Sequence, residues 1–165
     1  KKKKKLRARE RALALFGYQQ TEEGFWVRPA NLASELDTHR TSLIDIGADD
    51  GIILTRTSQV AMAGSFDWTR LWSPEELSQS YARAIQAMET SLAGLMTRSV
   101  DEAARETLLI GQPVIRAINF DPLLPPALGD QEGFLRMADK MLEYNQIGQI
   151  CWQRYYDAIE KAAQD

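Results

Sequence analysis

Residues Arg105 to Pro126 constrain this chain more than any other stretch. The run Arg105-Glu106-Thr107-Leu108-Leu109-Ile110 sets apolar side chains at helical spacing, and Pro113 bends the helix they define. It stops at Asp121-Pro122, because a proline ring removes an amide donor and biases the residue before it away from helical geometry. Leu123-Leu124-Pro125-Pro126 then makes a stiff exit. A buried helix with a rigid corner is a hub for its neighbours and carries no catalytic chemistry of its own.

The chain before the hub mixes helix and strand signals. Leu6, Leu13 and Phe16 with intervening alanines suit an amphipathic helix whose polar face is arginine-rich, and Gly17 is its expected stop. Two short strands are predicted within Tyr18–Pro29, around Glu22-Glu23-Gly24. Asn31 is the expected cap of a second helix through about Ile46, Gly47–Gly51 a turn and Ile52–Thr57 a third strand. Helix, strand, strand, helix, strand is the order of a split βαβ, ferredoxin-like sheet without its first strand. The expectation is therefore a truncated ferredoxin-like domain over residues 1–66, with the missing strand upstream or supplied by another chain.

Beyond the connector Ala61–Phe66, strand signals vanish. Ser73-Pro74-Glu75-Glu76 reads as a helix start, and Leu77, Tyr81, Ile85, Met88, Leu92 and Leu95 draw one stripe behind it. Ser99 and Glu102 repeat the capping pattern ahead of the hub. A last helix is predicted from Phe134 to about Ala163, with Met137, Met141, Tyr144, Cys151 and Tyr155 on one side. The fold class expected is thus α+β, with a mainly α-helical C-terminal domain over residues 67–165. At 165 residues and 44% hydrophobic content, one or two cores can be buried.

Charge is uneven. Residues 1–17 hold eight Lys or Arg and one Glu, against twelve basic and twenty-two acidic residues in the remainder. A basic start on an acidic body is compatible with nucleic-acid contact by the start alone, and equally with a solvated helix face or the cut end of a longer protein. No run is long and apolar enough to cross a bilayer and no secretory signal is present, so a cytoplasmic location is the default expectation. Cys151, the only cysteine, is expected as a buried thiol.

Catalytic constellations are thin. His39 is the single histidine and falls on the expected polar face of its helix, so it reads as solvated and supports neither a zinc site nor a hydrolase triad. Asp49-Asp50 sits in a turn, while Glu75-Glu76 and Asp101-Glu102 occupy first turns of helices, where negative charge is favoured by the dipole. Gly47-Ala48-Asp49-Asp50-Gly51 lacks the glycines or lysine of a phosphate loop. Trp68 and Trp72, four apart on an expected helix, either anchor a core or line a cavity for an aromatic ligand.

Taken in order, several of these pieces resemble one family. They are the arginine-rich helix ending in Gly17-Tyr18, Gly24-Phe25-Trp26-Val27-Arg28-Pro29 with Asn31-Leu32, and Leu71-Trp72 before the helix of Leu77 and Tyr81. Arg105-x-x-Leu108-Leu109-Ile110 running to Asp121-Pro122-x-Leu124-Pro125 completes the set. The chain resembles the middle and C-terminal parts of PaaX-type transcriptional repressors of phenylacetate catabolism. It departs from the family pattern at Gly111-Gln112-Pro113 and at Glu132 before Gly133.

The resemblance implies the effector-sensing and dimerisation part of a bacterial repressor, a homodimer without cofactor, metal or catalytic residues. It would leave operator DNA when an acyl-coenzyme A such as phenylacetyl-coenzyme A binds, the DNA being read by a winged helix absent from this chain. Effector contacts are expected from Trp68, Trp72, Tyr81, Arg105 and Arg116, aromatic rings for an aryl-acetyl tail and guanidinium groups for phosphates. The competing expectation is a small enzyme acting on coenzyme A thioesters, which would need a general base within reach of the thioester.

Overall fold

The computed structural model describes residues 2–32, 35–61 and 66–164. Helix α1, Lys2–Leu15, ends at Gly17, whose φ of 73° is left-handed. There the Gly17 amide donates to the Ala14 carbonyl at 3.0 Å and Tyr18 to Leu13 at 3.0 Å, which satisfies two carbonyls that a helix end leaves open. A hairpin follows, β1 (Gln19–Gln20) antiparallel to β2 (Trp26–Val27), with Gln19 opposite Val27 and Gln20 opposite Trp26. Helix α2, Leu36–Asp45, repeats the ending of α1: Gly47 at φ 118° donates to Ile44 and Ala48 donates to Leu43.

The ferredoxin-like expectation is overturned. Among the described residues the only ladder is this two-stranded hairpin, and the chain is otherwise mostly helical. Residues 52–57, expected as a third strand, pair with nothing in a sheet. Arg40 ties the start of this segment to α2: its Nε donates to the Ile52 carbonyl at 3.1 Å, an acceptor a strand would offer to a neighbour, and another guanidinium nitrogen reaches the Asp50 carbonyl in the turn before it. Ile52 and Leu54 pack on a small core of Ala12, Leu13, Tyr18, Leu43 and Ala48, while Ile53 is 86% exposed. Alternating apolar residues thus meet a helix pair rather than the face of a second sheet.

Three further expectations change. Asn31 does not cap α2, which starts five residues later behind Glu35; its side chain instead donates to the Leu123 carbonyl at 2.7 Å and accepts from Arg28 at 3.3 Å. His39 is not solvated but only 9% exposed, with Nε2 at 3.1 Å from the Tyr18 hydroxyl and its ring edge-on to Phe16 at 4.9 Å. Ser73 precedes α3 with a φ of 46°, which is not the extended backbone of a helix cap. The expected connector Ala61–Phe66 lies, apart from its two ends, outside the described residues.

The helical expectations are met more closely. Helix α3 spans Pro74–Leu95, α4 Val100–Asn119 and α5 Gln131–Ala162. Glu102 reaches back to the Ser99 amide at 3.2 Å, the returning half of a capping box. Helix α4 runs unbroken through Pro113 and ends before Asp121, whose buried carboxylate accepts the Leu123 amide at 2.8 Å.

The chain divides into two compact units, Lys1–Pro74 with Phe120–Asp130, and Glu75–Asn119 with Gln131–Asp165. In the first, the Trp72 indole donates to the Gly17 carbonyl at 3.0 Å, and the Cβ that Gly17 lacks would fall 2.8 Å from the Pro122 Cα. In the second, Tyr81, Met88, Leu95, Val114, Met137, Met141, Tyr144 and Cys151 form the core. Helices α4 and α5 run antiparallel and approach through small residues, Gly111 against Met141 and Tyr144, and Gly148 against Thr107.

Candidate functional site

A shallow groove of about 340 Å³, largely open to solvent, lies on the second unit. Helix α3 contributes Arg83, Gln86, Ala87, Thr90 and Ser91, a row at i, i+3, i+4, i+7 and i+8 that runs beside its core stripe. Helix α4 contributes Glu106 and Ile110, one turn apart. Ala87 and Ile110 give the groove apolar surface, whereas Arg83, Gln86 and Thr90 are exposed polar side chains.

Two polar pairs fix its chemistry. The Ser91 and Tyr144 hydroxyls hydrogen-bond at 2.8 Å in a buried setting, and burial raises the Tyr144 phenol above its ordinary range despite that bond. Tyr144 is therefore a neutral hydroxyl at physiological pH. Glu106 lies 3.5 Å from the Arg98 guanidinium, so the carboxylate at the groove already has a cationic neighbour. The arrangement suits binding of a partly apolar, partly anionic molecule, the anion meeting Arg83.

None of the five residues expected at an effector site lines this groove. Trp68 and Trp72 belong to the first unit, and no helical face joins them: Trp68–Leu71 is a single 3-10 turn that ends at Trp72. Trp68 is half-buried with its ring edge-on to Phe66 at 4.7 Å, and Trp72 is a buried anchor. Tyr81 lies in the core of the second unit, edge-on to Phe134 at 6.0 Å. Arg105 and Arg116 are both exposed on α4 and eleven residues apart, which puts them on one side of that helix about 16 Å from each other.

Sequence reasoning missed Arg83, Ser91 and Glu106. The signal available was the polar row at helical spacing next to the stripe of Tyr81, Ile85 and Met88, together with the rule that a buried tyrosine hydroxyl finds a partner. Which residue would be that partner depends on the packing of α3 on α5, which periodicity does not give.

Among the described residues no three His, Cys, Asp or Glu side chains gather to hold a metal ion, and no helix is long and apolar enough to cross a membrane. Compared with known proteins, the chain matches no family model, no curated protein and no solved structure.

Proposed function

We propose that this chain is the effector-sensing and dimerising part of a bacterial transcriptional repressor of a catabolic operon, with an acyl-coenzyme A such as phenylacetyl-coenzyme A as its effector. The observation offered for the reading is the shallow groove between α3 and α4, where the Arg83 guanidinium stands beside the apolar surface of Ala87 and Ile110. The ordered resemblance to PaaX-type repressors supports the same ligand class. Arg105 and Arg116, exposed on α4 outside the groove, are the proposed phosphate contacts. Operator reading is assigned to no residue of this chain.

An enzyme acting on coenzyme A thioesters has less support. The groove's carboxylate, Glu106, neighbours Arg98, and its hydroxyl, Ser91, is engaged with Tyr144. The proposed dimer draws on Leu108 and Ile115, exposed seven residues apart on α4 and to one side of Arg105 and Arg116.

Calorimetry against phenylacetyl-, benzoyl- and acetyl-coenzyme A tests the effector. At least one should bind with micromolar affinity, and Arg83→Ala should weaken it about tenfold, the worth of a charge-assisted contact. Failure of all three to bind, with thermal stability unmoved, sinks the effector assignment. Sedimentation at micromolar concentration should show a dimer that Leu108→Glu dissociates; a monomeric parent protein sinks the dimer.

A further inference from the structure

Helix α1 carries a basic surface that the groove and its ligand leave unexplained. Its apolar side is committed: Ala12 and Leu13 are fully buried in the first unit, and Ala8 lies 3.5 Å from where Gly47 would place a Cβ. That packing fixes which side of the helix looks outward. Lys3, Arg7 and Arg11 recur at i, i+4 and i+8, so they form one straight row of about 6 Å steps, with Lys4 beside it. All four are exposed, and among the described residues none lies within ion-pair distance of a carboxylate. Glu10 is the helix's one acidic residue and is half-buried.

We infer that this outward row of α1 is a docking surface for the phosphate backbone of double-stranded nucleic acid, bound without reading its sequence. Charge complementarity selects the partner: the row meets a polyanion of high linear charge density, whereas the rest of the chain, with twelve basic and twenty-two acidic residues beyond residue 17, repels one. Single strands fit less well, since no aromatic residue stands on α1 to stack with unpaired bases. An anionic lipid surface fits less well too. A helix lying in a bilayer interface inserts an apolar face, and the apolar face of α1 is buried within its own unit, with Leu6 its one exposed large apolar side chain. Sequence indifference follows because lysines and arginines on phosphates position a protein without contacting base edges. The inference stands on the charge and packing of α1 and is independent of any acyl-coenzyme A.

The test is fluorescence anisotropy of the full chain with a labelled 20-base-pair DNA duplex and with a shuffled duplex of the same composition. The same single strand and vesicles containing phosphatidylserine form parallel arms, all titrated between 50 and 200 mM salt. With four cations engaged, log K should fall with log salt at a slope of about −3.6, roughly a hundredfold loss over that range, and both duplexes should bind alike. Arg7→Glu with Arg11→Glu should flatten the slope by about 2 and weaken binding at least tenfold, since two phosphate contacts are lost. Arg7→Lys with Arg11→Lys should retain both slope and affinity, and circular dichroism of each variant checks that α1 is intact. Duplex binding that survives the double reversal, preference for one duplex over its shuffled partner, or binding to vesicles in place of DNA would each overturn the inference.

Discussion

At the residue scale, the hydrogen bond between Tyr18 and His39 carries a pH dependence. Burial first, and then the Arg28 and Arg56 guanidinium charges, hold the His39 imidazole below its ordinary range. In the folded chain His39 therefore takes up a proton less readily than in the unfolded chain. Its contribution to stability is complete above the ordinary histidine range and is lost as the pH falls through that range toward the lower folded value. Thermal unfolding followed from pH 7.5 to 5.0 should show Tm decreasing on the acid side, and His39→Gln should remove most of that decrease. A parent curve that is flat, or a variant curve equally steep, rules out His39 as the source. Tyr18→Phe deletes one partner of the pair and should cost about 1 kcal/mol. That His39 is the chain's single imidazole was legible; its burial was not, because Thr38 and Arg40 beside it read as a polar face while Phe16 and Tyr18, which enclose it, come from another part of the chain.

At the scale of elements, α1 and α2 end in the same backbone motif but tolerate change differently. An alanine Cβ at Gly17 would lie 2.8 Å from the Pro122 Cα and 2.9 Å from its carbonyl oxygen, both backbone atoms, in addition to the strain of a left-handed φ. At Gly47 the nearest atom is the Ala8 Cβ at 3.5 Å, an ordinary contact. Gly47→Ala should cost about 1 kcal/mol from backbone strain alone, and Gly17→Ala about 3 kcal/mol because the backbone must also shift. Urea unfolding of the two variants separates them; equal costs would show that the approach of Pro122 is soft. Gly17 as a helix stop was readable from its place after Leu13 and Phe16, as were α3, α4 and α5 from their stripes, since a 3.6-residue period is a local property. The sheet was misread because Ile52-Ile53-Leu54 has the composition of a strand. Whether such a segment pairs depends on an edge being free, and Arg40 holds the first of its carbonyls, that of Ile52.

At the scale of the whole molecule, the first unit is built from two separate pieces of chain. Residues Phe120–Asp130, between α4 and α5, belong with Lys1–Pro74. They meet through Asn31 on the Leu123 carbonyl and through the approach of Pro122 to Gly17. Replacing residues 120–130 by a Gly/Ser linker of equal length should destabilise the first unit selectively. Three of the four tryptophans, Trp26, Trp68 and Trp72, report on that unit, so their fluorescence should change at lower temperature than the helical signal. A single shared transition at the parent temperature would show that the inserted segment adds nothing.

The same division sets an order of events during synthesis. When Pro74 has left the ribosome, Gly17 and Asn31 are already made, but Pro122 and Leu123 are not, and both α3 and α4 must be translated before they emerge. At roughly 5–20 residues per second that interval lasts several seconds, far longer than a helix needs to form. The nascent first unit must therefore wait, incomplete, while the helices of the second are still being made, and slow codons between residues 75 and 119 would prolong its exposure to chaperones and proteases.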